Sequence, residues 1–215
     1  MDFLSELWMP ILVSAGVAWI ASAILHMLLP IHKQDYARLS GEESILEALR
    51  NQQIAPGEYY FPFSESMKDM HEPEMVEKHK RGPVGFLTVM PSGPPGIGKN
   101  LVLWFAYSVL VSVFAAYITS FLTIESAREA FRLTGTIAVL GYAVTHIYNS
   151  IWKAQLWKTT LKNVFDGIIY GLLTGAVFAG LGSWGGQDRS PRVNCFSLRR
   201  PSNNDNLSGL FREVA

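Results

Sequence analysis

With 215 residues the chain has room for one or two domains. Its 18 basic and 18 acidic residues cancel to a formal charge of zero, which removes the global electrostatic argument for nucleic acid or another polyanionic partner. The single cysteine, Cys195, excludes an internal disulfide and a cysteine-based metal cluster.

An apolar fraction of 49% is ordinary for a soluble protein, but its distribution is not. Charge collects in 33–99, in 153–162 and after Gln187, and apolar blocks lie between. The first block, 7–29, is flanked by Glu6 and Lys33. Ala21-Ser22-Ala23 resembles a cleavage site, yet the preceding segment is acidic and the apolar run is too long for a secretory signal, so an uncleaved anchor is expected. Further spans are expected at 100–122, at 133–152 between Arg132 and Lys153, and at 167–184 between Asp166 and Asp188. Four such runs predict a mainly α protein, a four-transmembrane-helix bundle. Trp8, Trp104, Trp152, Trp157 and Trp184 sit near span ends, where indole rings favour the membrane interface.

Small residues recur every four positions: Ser14, Ala18 and Ser22 in the first span; Ser108, Ser112, Ala116 and Ser120 in the second; Gly167, Gly171, Gly175 and Ala179 in the fourth. Residues at this spacing share a helix face, and a face of small residues lets membrane helices approach closely. Ser108, Ser112, Ala116, Gly167, Gly171 and Gly175 are therefore the expected packing positions.

Between the first two spans, residues 30–99 form an expected α+β cap. An amphipathic helix is expected over 41–53, with Ser40 placed to cap it. A second helix is expected over 74–80, with Pro73 in its first turn. Two β-prone runs, Tyr59-Tyr60-Phe61 and 84–90, are placed to pair. A region of this size cannot bury a large core alone, so it is expected to lean on the bundle. Residues 185–215, rich in Ser, Asn and Arg, are expected to be a disordered tail. Lys and Arg concentrate in the first and third loops, which puts residues 30–99 in the cytoplasm and both termini outside the inner (plasma) membrane.

Three motifs carry chemistry. Residues 93–99 match a phosphate-binding loop, with Gly93, Gly98 and Lys99 in place. Asn100 replaces the metal-binding hydroxyl and the next helix is a membrane span, so ATP is not expected; Lys99 reads as a membrane-boundary anchor. His26, His32, Asp35, His146 and Asp166 fall on one membrane face by alternating topology. His26 also continues the Ser14/Ala18/Ser22 stripe and is expected to face other helices. Two imidazoles, His26 and His146, offer ligands for haem, a transition metal or a quinone, and His32 and Asp166 extend the metal-type set. The bland alternative is interfacial polar groups satisfied locally, with Tyr142 and Tyr170 as neighbours. His71, Glu72, Glu74, Glu77 and His79 match no standard metal spacing and read as a solvated helix face.

Three segments, LPIHKQDYARLSGEESILEALR, PGEYYFP with GPVGFLTVMPSGPPGIGKNL, and IWKAQLWKTTLKNVFDGIIYGLLTGAVFAG, resemble those of a family of small bacterial four-span integral membrane proteins without an assigned activity. The resemblance covers about residues 7–182 and implies the membrane architecture but no catalytic residues. The leading expectation is a structural or accessory subunit of a membrane complex that needs no cofactor. Its partners would be lipid and other membrane subunits or further copies of itself. The alternative is a redox or transport component acting through His26 and His146. A third possibility is a membrane-embedded enzyme built on His32, Asp35 and Asp166.

Overall fold

The structure, a computed structural model, describes residues 2–94, 96–182 and 184. The expected tail and Cys195 lie outside the described residues. Helix α1, Asp2–Ala23, continues into one π turn, Ile24–Leu28, and a 3₁₀ turn, Pro30–His32. Leu29 is extended between the two turns, as its position before a proline favours. Helices α2 (Glu42–Asn51), α3 (Met67–Met70) and α4 (Pro73–Arg81) and strands β1 (Gly57–Phe61) and β2 (Gly85–Val89) occupy the region before α5, Ile97–Thr119. Then follow α6, Ala127–Tyr142, a 3₁₀ turn, Val144–His146, α7, Ile147–Trp152, and α8, Trp157–Leu181. Ser126 caps α6 by accepting the Glu129 N–H, and the Glu129 carboxylate accepts the Glu125 N–H in return.

The four long helices close a ring. α1 packs on α5 and α8, and α6 packs on the same two. Among the described residues, three segments are long and apolar enough to cross a membrane: Phe3–Leu28, Ile97–Thr119 and Trp157–Leu181. The exterior of the bundle carries the large side chains, among them Leu12, Val102, Leu103, Phe114, Leu140, Phe165 and Leu172, all exposed. The interior is built from small ones: Ser14, Ala15, Ala18, Ser108, Ser112, Ala115, Ala116, Ala130, Thr134 and Ala138 are fully buried. A water-soluble bundle would have the reverse arrangement. Lipid tails solvate large apolar groups, so a membrane bundle packs by backbone approach instead.

That approach is closest where α8 meets α6. A methyl placed on Gly167 would lie 2.6 Å from the Ala143 Cα, one on Gly171 2.7 Å from the Val139 N, and one on Gly175 2.8 Å from the Phe131 carbonyl. Gly135 of α6 supplies the opposite wall, 3.0 Å from the Gly175 position. The stripe of α5 faces α1, where the Ser14 hydroxyl donates to Ser112 Oγ at 2.9 Å.

Several boundaries move. The expected third span, 133–152, is not one helix: α6 starts at Ala127, ends at Tyr142, and the chain passes through a 3₁₀ turn into short α7. The expected fourth span, 167–184, begins instead at Trp157. Charge marked the edge of the apolar run, but Lys158, Lys162 and Asp166 are compatible with helical hydrogen bonding, and the helix extends through them. The loop before α8 is only 153–156.

In 30–99, β1 and β2 pair antiparallel, with Tyr59 opposite Leu87 and Tyr60 opposite Phe86. The Tyr60 ring contacts Phe86 and, at 6.5 Å between centroids, His79 of α4. Ser40 does not cap α2. Gly41 holds that position at φ 68°, and Ser44 donates back to its carbonyl. None of the described residues in 30–99 is fully buried. Lys153 reaches Glu58 of β1 at 3.2 Å, an exposed pair linking this region to the bundle. The loop 93–99 follows an antiparallel two-stranded ribbon rather than a parallel sheet, and Gly96 precedes the first turn of α5.

Candidate functional site

Three segments bring ionisable groups to one end of the bundle. The first is the π turn, closed by the Leu29 N–H to the Ile24 carbonyl at 3.1 Å. His26 lies in this wider turn; its ring is 48% exposed and faces α8, with Nε2 3.9 Å from Asp166 Oδ2. Such single π turns occur often at functional sites. The second segment is the 3₁₀ turn with His32, and the third is the third turn of α8 with Asp166.

His32 is the hinge of the cluster. Its side chain is 11% exposed, its Nδ1 lies 2.6 Å from Asp35 Oδ2 and its Nε2 2.8 Å from Asp166 Oδ2. Both bonds are made in full only when each ring nitrogen, or one carboxyl, carries the proton. Lys162, one turn before Asp166 on α8, donates to Asp35 Oδ1 and, at 2.7 Å, to the Ile31 carbonyl. The ammonium thereby ties the chain after α1 to α8. His26 stacks on His32 with centroids 4.3 Å apart and an interplanar angle of 5°. Its Nδ1 meets the Ser22 carbonyl at 3.1 Å, and its Nε2 lies 3.9 Å from Asp166 Oδ2. The Asp166 side chain is 3% exposed, and its second oxygen, Oδ1, is buried without a partner among the described residues.

Beside this cluster is a cavity of about 470 Å³ lined by His26, His146, Asp166, Trp104, Asn100 and Tyr170, among others. His26 and His146 therefore share one cavity with Asp166. His146 stands outside the tighter group: the ligand atoms of His26, His32 and Asp166 lie within 4.8 Å of one another. The local partners expected for a purely interfacial role are not used. Tyr142 donates to the Ser108 carbonyl at 3.3 Å, and the buried Tyr170 hydroxyl has no protein partner. Trp104 is held in place by its N–H to Ser22 Oγ at 2.7 Å, and it packs on Tyr107, Tyr142 and Tyr170.

Lys162 and Trp104 also belong to the site, although by position in the sequence Lys162 is a membrane-orienting charge and Trp104 a member of an interface belt. For Lys162 a signal existed: Asp166 follows at the i+4 spacing that puts both on one helix face. For Asn100 and Trp104 the composition offered none. The second cluster disperses along the helix surface. His71 and His79 bond the Met67 and Met75 carbonyls, while Glu74 and Glu77 pair with Lys78 and Lys80.

The Asp35 carboxyl is held below the usual aspartate range, first by the Lys162 hydrogen bond and then by His32, against the opposing effect of burial. A folded value below the unfolded one means that ionised Asp35 stabilises the fold above the ordinary aspartate range. That contribution is lost as pH falls through the folded value. Unfolding of the detergent-solubilised protein followed below about pH 5 should therefore show a steeper acid loss for the native sequence than for Asp35→Asn. Equal slopes would mean that the Lys162–Asp35 link is not formed.

No protein family, curated protein or solved structure matches the chain. Fold and site define its class on their own: a mainly helical protein with apolar helices of membrane-crossing length and an ionisable cluster beside a cavity at one end of the bundle.

Proposed function

We propose that the chain is a four-span protein of the inner membrane that holds a ligand in the His26/His146/Asp166 cavity, as a component of a redox or transport system. The observation that carries this reading is Asp166. A carboxylate 3% exposed in the third turn of an apolar helix is costly to bury. Its hydrogen-bonded His32 offsets only part of that cost, and Oδ1 is buried with no partner among the described residues. The fourth span consists of α6 with the short turns after it. α6 alone is about 24 Å long, short of a bilayer core of about 30 Å, but it packs between α5 and α8 in the same ring. Residues 30–99 face the cytoplasm and 120–126 the other side.

Two measurements test this. Cysteines introduced at the exposed positions 65 and 123 in a Cys195→Ser background should be labelled from opposite sides of the membrane; labelling from one side removes the four-span arrangement. Absorbance, metal content and extractable small molecules of the gently purified protein should show a bound species that is lost in His26→Ala or Asp166→Asn. Their absence from every preparation would leave the cavity without a role.

A second reading, an accessory subunit of a membrane complex, is favoured by the cap. Phe63, Met67 and Met90 are at least 70% exposed there, more than a free aqueous surface usually gathers in so small a region. The particle size in mild detergent tests it, since the free chain would run at the mass of a monomer.

A further inference from the structure

We propose that His26, His32 and Asp166 form a binding site for one divalent first-row transition-metal cation, with Asp35 as the group that orients His32. The inference rests on the ligand-holding reading of the cavity and specifies its occupant. Two imidazoles and a carboxylate are the donor set that suits zinc and ferrous iron. Three separate segments bring their ligand atoms within 4.8 Å of one another.

The outer contacts of the two histidines point the same way. A metal-bound imidazole almost always gives its other N–H to a carboxylate, a backbone carbonyl or water. His32 has the first arrangement, Nδ1 on Asp35 at 2.6 Å, and His26 the second, Nδ1 on the Ser22 carbonyl at 3.1 Å. Each therefore presents Nε2 towards the same Asp166 oxygen, at 2.8 and 3.9 Å. Lys162 neutralises Asp35, so with neutral imidazoles the remaining charge at the centre is that of Asp166. The open Oδ1 gives this carboxylate a second donor atom.

Binding displaces the proton shared between His32 Nε2 and Asp166 Oδ2, so uptake releases protons and weakens in acid. His32 and Asp166 are already fixed. His26 is half exposed, and its ring, now parallel to that of His32, turns about its side-chain bonds to direct its lone pair at the ion. The cavity leaves a coordination position open for water or a small ligand, with His146 on its wall. An open position separates catalytic or transport sites from closed structural ones.

The test is a titration of the full-length, chelator-treated protein in detergent with Zn²⁺, and with Co²⁺ as a spectroscopic probe. One equivalent should bind, with visible Co²⁺ bands typical of mixed nitrogen and oxygen coordination. His32→Ala and Asp166→Asn should abolish binding. Asp35→Asn should weaken it about 10- to 100-fold. His26→Ala, on an exposed ring, leaves the fold intact by thermal unfolding and should change the Co²⁺ spectrum as well as the affinity. His71→Ala should match the native protein. Absence of stoichiometric binding, or binding indifferent to both His26→Ala and Asp166→Asn, overturns the proposal. If the protein binds no metal but carries an organic species lost in His146→Ala, the metal assignment fails while the ligand-holding reading stands. If it carries neither, both fail.

Discussion

Gly171→Ala is expected to destabilise the bundle by about 1–3 kcal/mol, although alanine is the better helix former. A methyl there meets the Val139 backbone nitrogen at 2.7 Å, inside the distance any real Cβ tolerates. The obstacle is main chain, which no side-chain rotation moves aside, so α6 and α8 must separate. Gly167→Ala and Gly175→Ala meet backbone at 2.6 and 2.8 Å and should behave alike. The chain also supplies its own controls. Gly16 in α1 and Gly180 in α8 have nothing within 4 Å of the added methyl. There the intrinsic preference for alanine, up to about 1 kcal/mol, should show as unchanged or slightly greater stability. Reversible unfolding in mixed micelles, read by tryptophan fluorescence, measures all five. Equal stability of Gly171→Ala and Gly180→Ala would mean that α6 and α8 do not touch along this face.

The seam was readable because it is a periodic property of one helix. Three glycines at a spacing of four must share a face, whatever that face meets. Its counterpart was not readable: Gly135 has no second glycine at a spacing of four in α6, where Gly141 lies six residues on, and only the packed structure shows it opposite Gly175. The spans were legible as apolar runs, but their ends were not. Charge was taken as the boundary, whereas a helix ends where its hydrogen bonds end. Lys158, Lys162 and Asp166 stay helical, since lysine stems extend along the helix and Asp166 finds His32. The break after Tyr142 has no proline to announce it, and Gly141 just before it is no stronger a signal than Gly135, which the same helix runs through. It coincides with the closest approach of Gly167 to the Tyr142–Ala143 backbone.

The site divides in the same way. Alternating topology was enough to place His26, His32, His146 and Asp166 at one end of the bundle. It could not say that His32 bridges two carboxylates, because that depends on where the 3₁₀ turn leaves its ring. Nor could it foresee the π turn, whose residues Ile24–Leu28 read as ordinary apolar helix. From that turn His26 stands half-exposed on the cavity wall. The Lys162–Asp35 bond joins residues far apart in sequence, and no local pattern encodes it.

His32→Ala carries the other large expected effect, a loss of about 3–5 kcal/mol in metal-free protein at neutral pH. The deleted ring leaves the Asp166 carboxyl, 3% exposed, without its Oδ2 partner, while Oδ1 has none among the described residues. The large cost is that of an orphaned buried carboxyl, not the worth of the bond. This distinction is measurable. Asp166→Asn removes the charge with little change in volume, so in the His32→Ala background it should restore stability instead of lowering it further. The double variant should then lose less than the sum of the two singles by about 0.5–3 kcal/mol, the range for groups in direct contact. Strict additivity would separate the two residues energetically and dismantle the cluster as a unit. Asp35→Asn bears on the other end of His32, where Lys162 still holds the Ile31 carbonyl. That variant should couple to His32→Ala more weakly, because Asp35 without His32 keeps the Lys162 ammonium, whereas Asp166 loses its hydrogen-bond partner.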